Sequence, residues 1–334
     1  MGDYIYYPGC SLEGSARAYA SSLSAIVAPL GVKLHEIDDW NCCGATEYMT
    51  LSPLRGHALI ARNLALAEAQ RDGASTLVAP CSACYVNLAK TDRYYRESSG
   101  FAELVNKALS ADNLHYDGGA LHVRHLLEVL VDDVGVDEIA THVTRPLKGL
   151  RVAPYLGCLV SRPDLDHRWG DHEQPHALDR LMTALGAEVV DYPLRTACCG
   201  GHMTQISPET AWELIRRLVE GADQAHADVM VTVCPMCQMN VDAYQGEMDR
   251  HFKARYRVPI LFFTQLMGLA FGIEPKALGI GTEVVSPAAA LARIGVEVPP
   301  PEEAAEPAGA AHEPKRQKRP QGLPMPAPLE DVRR

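Results

Sequence analysis

Long apolar runs are scarce in this sequence of 334 residues. The longest, residues 259–273 (PILFFTQLMGLAFGI), is shorter than the ~20 residues a bilayer crossing needs, and Thr264 and Gln265 interrupt it. No membrane span is expected. Excess positive charge is also missing: 31 Lys and Arg against 42 Asp and Glu leave a net charge of −11, which disfavours a nucleic-acid backbone as partner. The start, MGDYIYYPGC, has neither the basic nor the long apolar region of a secretory leader. Tyr6 stands where a myristoylation signal wants Ser or Thr. A glycine-rich nucleotide fingerprint is absent, and the chain leaves no room for a flavin domain. A cytoplasmic protein is expected. Aromatics make up only 6% of the residues, yet a hydrophobic content of 47% supports a real buried core.

What the chain does have is ten cysteines in a doubled pattern. A single cysteine (Cys10, Cys158) precedes a Cys-Cys-Gly (Cys42-Cys43-Gly44, Cys198-Cys199-Gly200). A Cys-x-x-Cys follows (Cys81/Cys84, Cys234/Cys237). Every cysteine belongs to one of two sets of five. Adjacent cysteines are poorly placed for separate staples, but they put two thiols on one tight turn, where glycine lets the backbone bend close to a ligand.

The elements between the cysteines repeat as well. Tyr4–Tyr7, Val32–Ile37 and Thr76–Ala79 read as strands. Helices are expected over Ala16–Leu30 and from Ser52-Pro53, a cap with proline at the first helical position, to about Arg71. A further helix opens at Cys81–Cys84. Residues 92–113 read as an exposed, partly helical insertion, and Leu121–Val131, with His122 and His125, as an amphipathic helix. The second half repeats the order: strand Arg151–Tyr155, helix Pro175–Leu185, strand Ala187–Val190, a helix from Ser207-Pro208 to about Ala225, and strand Val229–Val233. Asn87 and Asn240 match, each three residues past the last cysteine of its set. Helix Thr264–Phe271 is expected to cap this half. The fold class is therefore α/β: two pseudo-symmetric repeats, 1–145 and 146–297, each a small parallel β-α-β-α-β unit with covering helices. Every cysteine group follows a strand's carboxyl end, the rim where such sheets bind ligands. From residue 298 to 334 Pro and Ala dominate, a tail expected to be disordered or to dock on a partner.

Thiolates hold zinc or iron–sulfur clusters. A disulfide framework fits poorly in a reducing compartment, and five ligands suit neither a four-coordinate zinc site nor an ordinary cubane. Iron–sulfur chemistry is the favoured reading, with zinc and disulfides as the alternatives. The doubled pattern, with YYPGC, APCSAC, VCPMCQMN and LFFTQLMGLAFG, resembles the cysteine-rich CCG domain, and over residues 3–295 its duplicated form resembles the B subunit of heterodisulfide reductase. The resemblance implies two noncubane [4Fe-4S] clusters. Cys10, Cys42, Cys43, Cys81 and Cys84 would hold the first, and Cys158, Cys198, Cys199, Cys234 and Cys237 the second, acting catalytically through them. It implies a disulfide bound between the clusters and cleaved or formed with two electrons. The partners it implies are a C-type, ferredoxin-like iron–sulfur subunit plus an A-type flavin subunit. A role in bacterial sulfur oxidation, with a lipoate-bound sulfur substrate, is the expectation. The alternative is an electron-transfer CCG subunit that binds no disulfide.

Other residues carry weaker signals. His202 could donate a proton to a departing thiolate, though a packed loop histidine is the plainer reading. Trp40 could shield the first set from water. His167, His172 and His176 cluster with Asp164, Asp166 and Asp171, which could form a metal site, though a solvated loop is the plainer reading.

Overall fold

The computed structural model describes residues 2–299 except 46, 164, 166–170 and 172. The Pro- and Ala-rich tail from residue 300, and with it most of the expected 298–334 segment, lies outside the described residues, as do Asp164, Asp166, His167 and His172.

Two four-stranded parallel sheets form the frame. The first contains β1 (Asp3–Tyr6), β2 (Lys33–Glu36), β3 (Thr76–Ala79) and β4 (His122–His125), in the order β2-β1-β3-β4. The second contains β5 (Arg151–Tyr155), β6 (Glu188–Val189), β7 (Val229–Thr232) and β8 (Ile260–Phe262), in the order β6-β5-β7-β8. The central strands are mostly apolar, as expected for parallel strands covered on both faces. Leu77, Val78 and Ala79 of β3 and all four residues of β7 are buried. In both sheets the chain leaves the first strand toward one edge and returns on its other side. The loops after those two strands diverge there and leave a crevice beyond their carboxyl ends.

The fourth strand of each sheet corrects the expected three-stranded unit. Residues 122–125 form a strand, not a helix, paired with β3 from Thr76↔His122 to Ala79↔His125. Strand passes to helix at Leu126 with no Gly or Pro between them, so the stretch has period two at its start and helical period after it, and a single helical reading absorbs both. Ile260–Phe262 was hidden in the same way, running straight into the helix Phe263–Ala270.

Residues 92–113 are helical and more than half exposed, as expected, but they are packed on the fold rather than inserted in it: they finish the helix Ser82–Glu97 and form the helix Ser99–Leu109, which buries Val105 and Leu109. Asp92 is buried and accepts hydrogen bonds from the Tyr116 hydroxyl (2.6 Å) and the Gly119 N–H (3.0 Å). The long helices Pro53–Ala69 and Pro208–Gln224 begin at proline as expected, but neither Ser52 nor Ser207 makes a side-chain cap bond.

The two halves exchange support. Helix Arg17–Val27 packs on Phe263–Ala270 of the other half, and Ala177–Ala184 packs on Val136–Thr141 of the first. At the former contact Tyr19 stacks on Phe262 with ring centroids 4.4 Å apart, and Ser22 Oγ meets Thr264 Oγ1 at 2.6 Å. The helix expected to cap the second half is thus part of the seam. No helix among the described residues is long and apolar enough to cross a membrane.

Candidate functional site

The sheet rim collects the cysteines from matching places. Cys10 and Cys158 start short helices just after β1 and β5. Cys81 and Cys234 are N-caps after β3 and β7, with Cys84 and Cys237 in the first turn of the helices that follow. The Cys-Cys-Gly loops follow β2 and β6.

Within the first set Cys10 Sγ lies 3.4 Å from Cys42 Sγ, and Cys43 Sγ lies 3.4 Å from Cys84 Sγ. The Gly44 N–H points at Cys42 Sγ (3.4 Å). In the second set the Gly200 and Gly201 N–H groups point at Cys198 Sγ (3.3 Å) and Cys199 Sγ (3.4 Å), and the Asn240 amide reaches Cys199 Sγ at 3.6 Å. These donors favour thiolate. The Cys198 thiol is lowered to about 6, first by the Cys158 thiol, which donates to it, then by the Gly200 N–H and Arg162. Cys42 is lowered in the same way by Cys10, while Cys10 and Cys158 are raised by donating. The sets also lie close to each other: the Tyr19 hydroxyl is 3.2 Å from the Pro80 carbonyl and 3.4 Å from the Val233 carbonyl, the residues just before Cys81 and Cys234.

All ten cysteines are unpaired. Cys43, Cys81, Cys84, Cys199, Cys234 and Cys237 are buried, and Cys10 and Cys42 are exposed. Among the described residues no group of three or more His, Cys, Asp or Glu side chains is arranged to hold a single metal ion. In the first set the thiols meet in two pairs, Cys10 with Cys42 and Cys43 with Cys84.

Two glycines keep the rim open. Gly9 and Gly157 have φ of 74° and 77°, and a Cβ on them would meet Cys84 Sγ at 2.9 Å and Cys237 Sγ at 3.0 Å. A cavity of about 270 Å³ lies over the second set, walled by Cys158, Cys198, Cys199, Cys234 and Cys237, with Ser82 contributed by the first half. Leu159, Met203, Ile206 and Met236 make its apolar side, and His202 lines it.

Tyr7 and Tyr155 did not stand out in the sequence, yet they brace both loops. Tyr7 donates to the Asn41 carbonyl (2.7 Å) and Tyr155 to the Ala197 carbonyl (2.9 Å). The signal was present as a tyrosine three residues before each single cysteine. Asn87, matched in sequence to Asn240, donates to the Cys43 and Ala45 carbonyls (3.3 and 2.7 Å). Trp40 packs edge-on to Tyr7 at 5.4 Å and donates to Glu36. His125 lies buried at the seam and His122 on the exposed side of β4. His176 sits beside Asp179 and Arg195, and Asp171 accepts from the Glu173 and Gln174 N–H groups.

Repeated parallel sheets with a five-cysteine rim define a duplicated cysteine-rich protein. The family model for the CCG cysteine-rich domain matches residues 4–89 and 152–242, and the chain belongs to that family. It is 35% identical over 287 residues (85% of this chain, 97% of the relative) to the 8-methylmenaquinol:fumarate reductase membrane anchor subunit of Wolinella succinogenes. It is 27% identical over 88% of its length, and 97% of the relative's, to the B subunit of the ferredoxin:CoB-CoM heterodisulfide reductase of Methanosarcina mazei. It is 29% identical over 84%, and 94% of the relative's, to a protein of Archaeoglobus profundus described as like the B subunit of heterodisulfide reductase. A crystal structure of a hypothetical protein from Helicobacter pylori shares the fold, with a TM-score of 0.68 and 15% identity over 85% of this chain; the chain spans about half (52%) of that protein's length.

Proposed function

We propose that this chain is the iron–sulfur subunit of a heterodisulfide reductase-like complex and makes or breaks a disulfide with two electrons. Each half, residues 1–145 and 146–297, holds one noncubane [4Fe-4S] cluster in this reading. Cys10, Cys42, Cys43, Cys81 and Cys84 are the ligands of the first. Cys158, Cys198, Cys199, Cys234 and Cys237 are those of the second. The observation that carries the reading is the nearness of Cys81 and Cys234, whose preceding carbonyls face one Tyr19 hydroxyl at 3.2 and 3.4 Å, because it brings the two sets edge to edge. The donor set fits: ten unpaired thiols, amide N–H groups aimed at sulfur, and glycines at the points of closest approach. Bound there, each cluster would supply one electron, so that the pair matches the two electrons of a disulfide.

The chain's own residues supply the rest. Leu159, Met203, Ile206 and Met236 would hold the carbon chain of a thiol and keep water from the sulfurs. His202, on the same cavity wall, would give the proton a departing thiolate needs. The sequence has no nucleotide fingerprint, so electrons would pass through ferredoxin-like and flavin subunits. Oxidised lipoamide represents the lipoate-bound sulfur substrates of sulfur oxidation.

A second reading has its own support in the 35% identity to part of a menaquinol:fumarate reductase. There the chain passes electrons and binds no disulfide. Anaerobically purified protein decides between them. Oxidised lipoamide or a linear mixed disulfide should produce a new electron paramagnetic resonance signal. Response to a menaquinol analogue alone would support the relay, and colourless, iron-free protein would sink both.

A further inference from the structure

Pro80 and Val233 immediately precede Cys81 and Cys234, the two cysteines at the seam. The Tyr19 hydroxyl lies 3.2 Å from the Pro80 carbonyl and 3.4 Å from the Val233 carbonyl, so one phenol faces both. Tyr19 is fully buried, and burial pushes its phenol well above the ordinary range, which keeps it a neutral donor. Its ring is fixed between Phe262, stacked at 4.4 Å, and Phe263, edge-on at 6.0 Å.

His125 closes β4, the strand beside β3. It is fully buried, edge-on to Tyr85 at 5.8 Å, and its Nδ1 accepts from the Leu127 N–H. That leaves Nε2 to carry the ring proton. Burial lowers its pKa to about 4, so the ring is neutral at neutral pH. In the second half the residue that closes the matching strand is Phe262, which stacks on Tyr19. The first half thus supplies the donor, and the second supplies an apolar backing.

We propose that Tyr19 is a positioning residue that ties the carbonyl before Cys81 to the carbonyl before Cys234 and so fixes the separation of the two cysteine sets. The inference rests on the function proposed above, in which both sets serve one substrate, and it names what holds them in register. Without a shared donor the two carbonyls would repel one another across a buried seam, and the sheets could slide apart there while each set stayed whole.

The test is a cross-linking ratio in the full-length chain, freed of iron by chelation and kept folded by circular dichroism criteria. Diamide takes two electrons and two protons from a pair of thiols, leaving a disulfide and the hydrazine. Peptide mass spectrometry then compares the Cys81–Cys234 link with the local Cys81–Cys84 and Cys234–Cys237 links. Tyr19→Phe, which keeps the stacked ring, should lower the ratio of seam link to local links roughly fivefold. Tyr19→Leu, which removes both the hydroxyl and the stacked ring, should lower it at least as far. A purely structural role would lower Tm in all variants and leave the ratio unchanged, and an unchanged ratio in Tyr19→Phe overturns the proposal. If the chelated chain unfolds, the spin–spin splitting between the two reduced centres of the loaded protein is the readout. Tyr19→Phe should alter it at constant iron content, and an identical splitting counts against the clamp. Iron-free protein with a shifted cross-link ratio would remove the functional reading and leave the clamp standing.

Discussion

Tyr7 and Tyr155 do the same work in the two halves: each donates its hydroxyl to the carbonyl just before a Cys-Cys-Gly, Asn41 at 2.7 Å and Ala197 at 2.9 Å. Each hydroxyl thereby ties the end of a first strand to the loop that follows the second. Tyr155 also accepts from the Cys237 thiol at 3.8 Å, so it touches two parts of one set at once.

Tyr155→Phe should leave the Ala197 carbonyl short of a donor, at a cost of about 1–3 kcal/mol, and loosen the second Cys-Cys-Gly loop. Iron content of the anaerobic protein should drop toward half, with the first set intact. Tyr7→Phe should drop it by the same amount from the other half. Equal iron in all three proteins would show that the loops hold without the tyrosines.

Much of this was legible in the sequence because duplication exposes whatever is repeated. Ten cysteines recur in register, and the strands before them, such as Thr76–Ala79 and Arg151–Tyr155, are short apolar runs bounded by turns. The fourth strands were not legible, since His122–His125 and Ile260–Phe262 pass into helices without punctuation. Nor was the seam. Tyr19 and Phe262 lie far apart in the chain, and Tyr19 shows only as one apolar position of a helix. The nearness of Cys81 to Cys234 depends on how the sheets pack, which no local spacing records.

Cys199→Ser tests the ligand assignment. Serine keeps the size and removes the soft sulfur donor that iron prefers. Cys199 is buried and already receives the Gly201 N–H and the Asn240 amide, so the hydroxyl finds partners and the fold should survive. Iron should fall by roughly half if the sets load independently. Full retention of iron would remove Cys199 from the ligand set.

Gly157→Ala tests the close approach at the rim. The residue has φ of 77°, and an added Cβ would come within 3.0 Å of Cys237 Sγ. The left-handed backbone costs a non-glycine residue about 1–2 kcal/mol, and the clash displaces a proposed ligand. Iron of the second set should be lost with only a small fall in Tm. Gly295→Ala makes the control, since it has φ of 72° and nothing within 4 Å of its Cβ position; it should cost stability and no iron.

Acid should weaken the fold through His57. His57 is buried, its Nδ1 lies 2.8 Å from Thr91 Oγ1, and Tyr94 and Phe101 meet its ring edge-on at 5.1 Å. Burial first, then the charge of Lys90, lowers its pKa from 6.5 to about 4. A depressed histidine pKa means that the folded chain resists the proton the unfolded chain takes up. The stability this gives is present above pH 6.5 and is lost as pH falls toward 4. For His57 alone the loss between pH 7 and pH 5 comes to about 2 kcal/mol. His125, lowered to about 4 by its own burial, adds a slope of the same sign. His57→Phe keeps a ring among the aromatics and removes the titration. Its stability, measured by urea unfolding at several pH values, should therefore fall less steeply over that window than that of the parent chain. Parallel curves for the two proteins would mean that His57 takes up its proton equally well in the folded state, against the burial that defines its site.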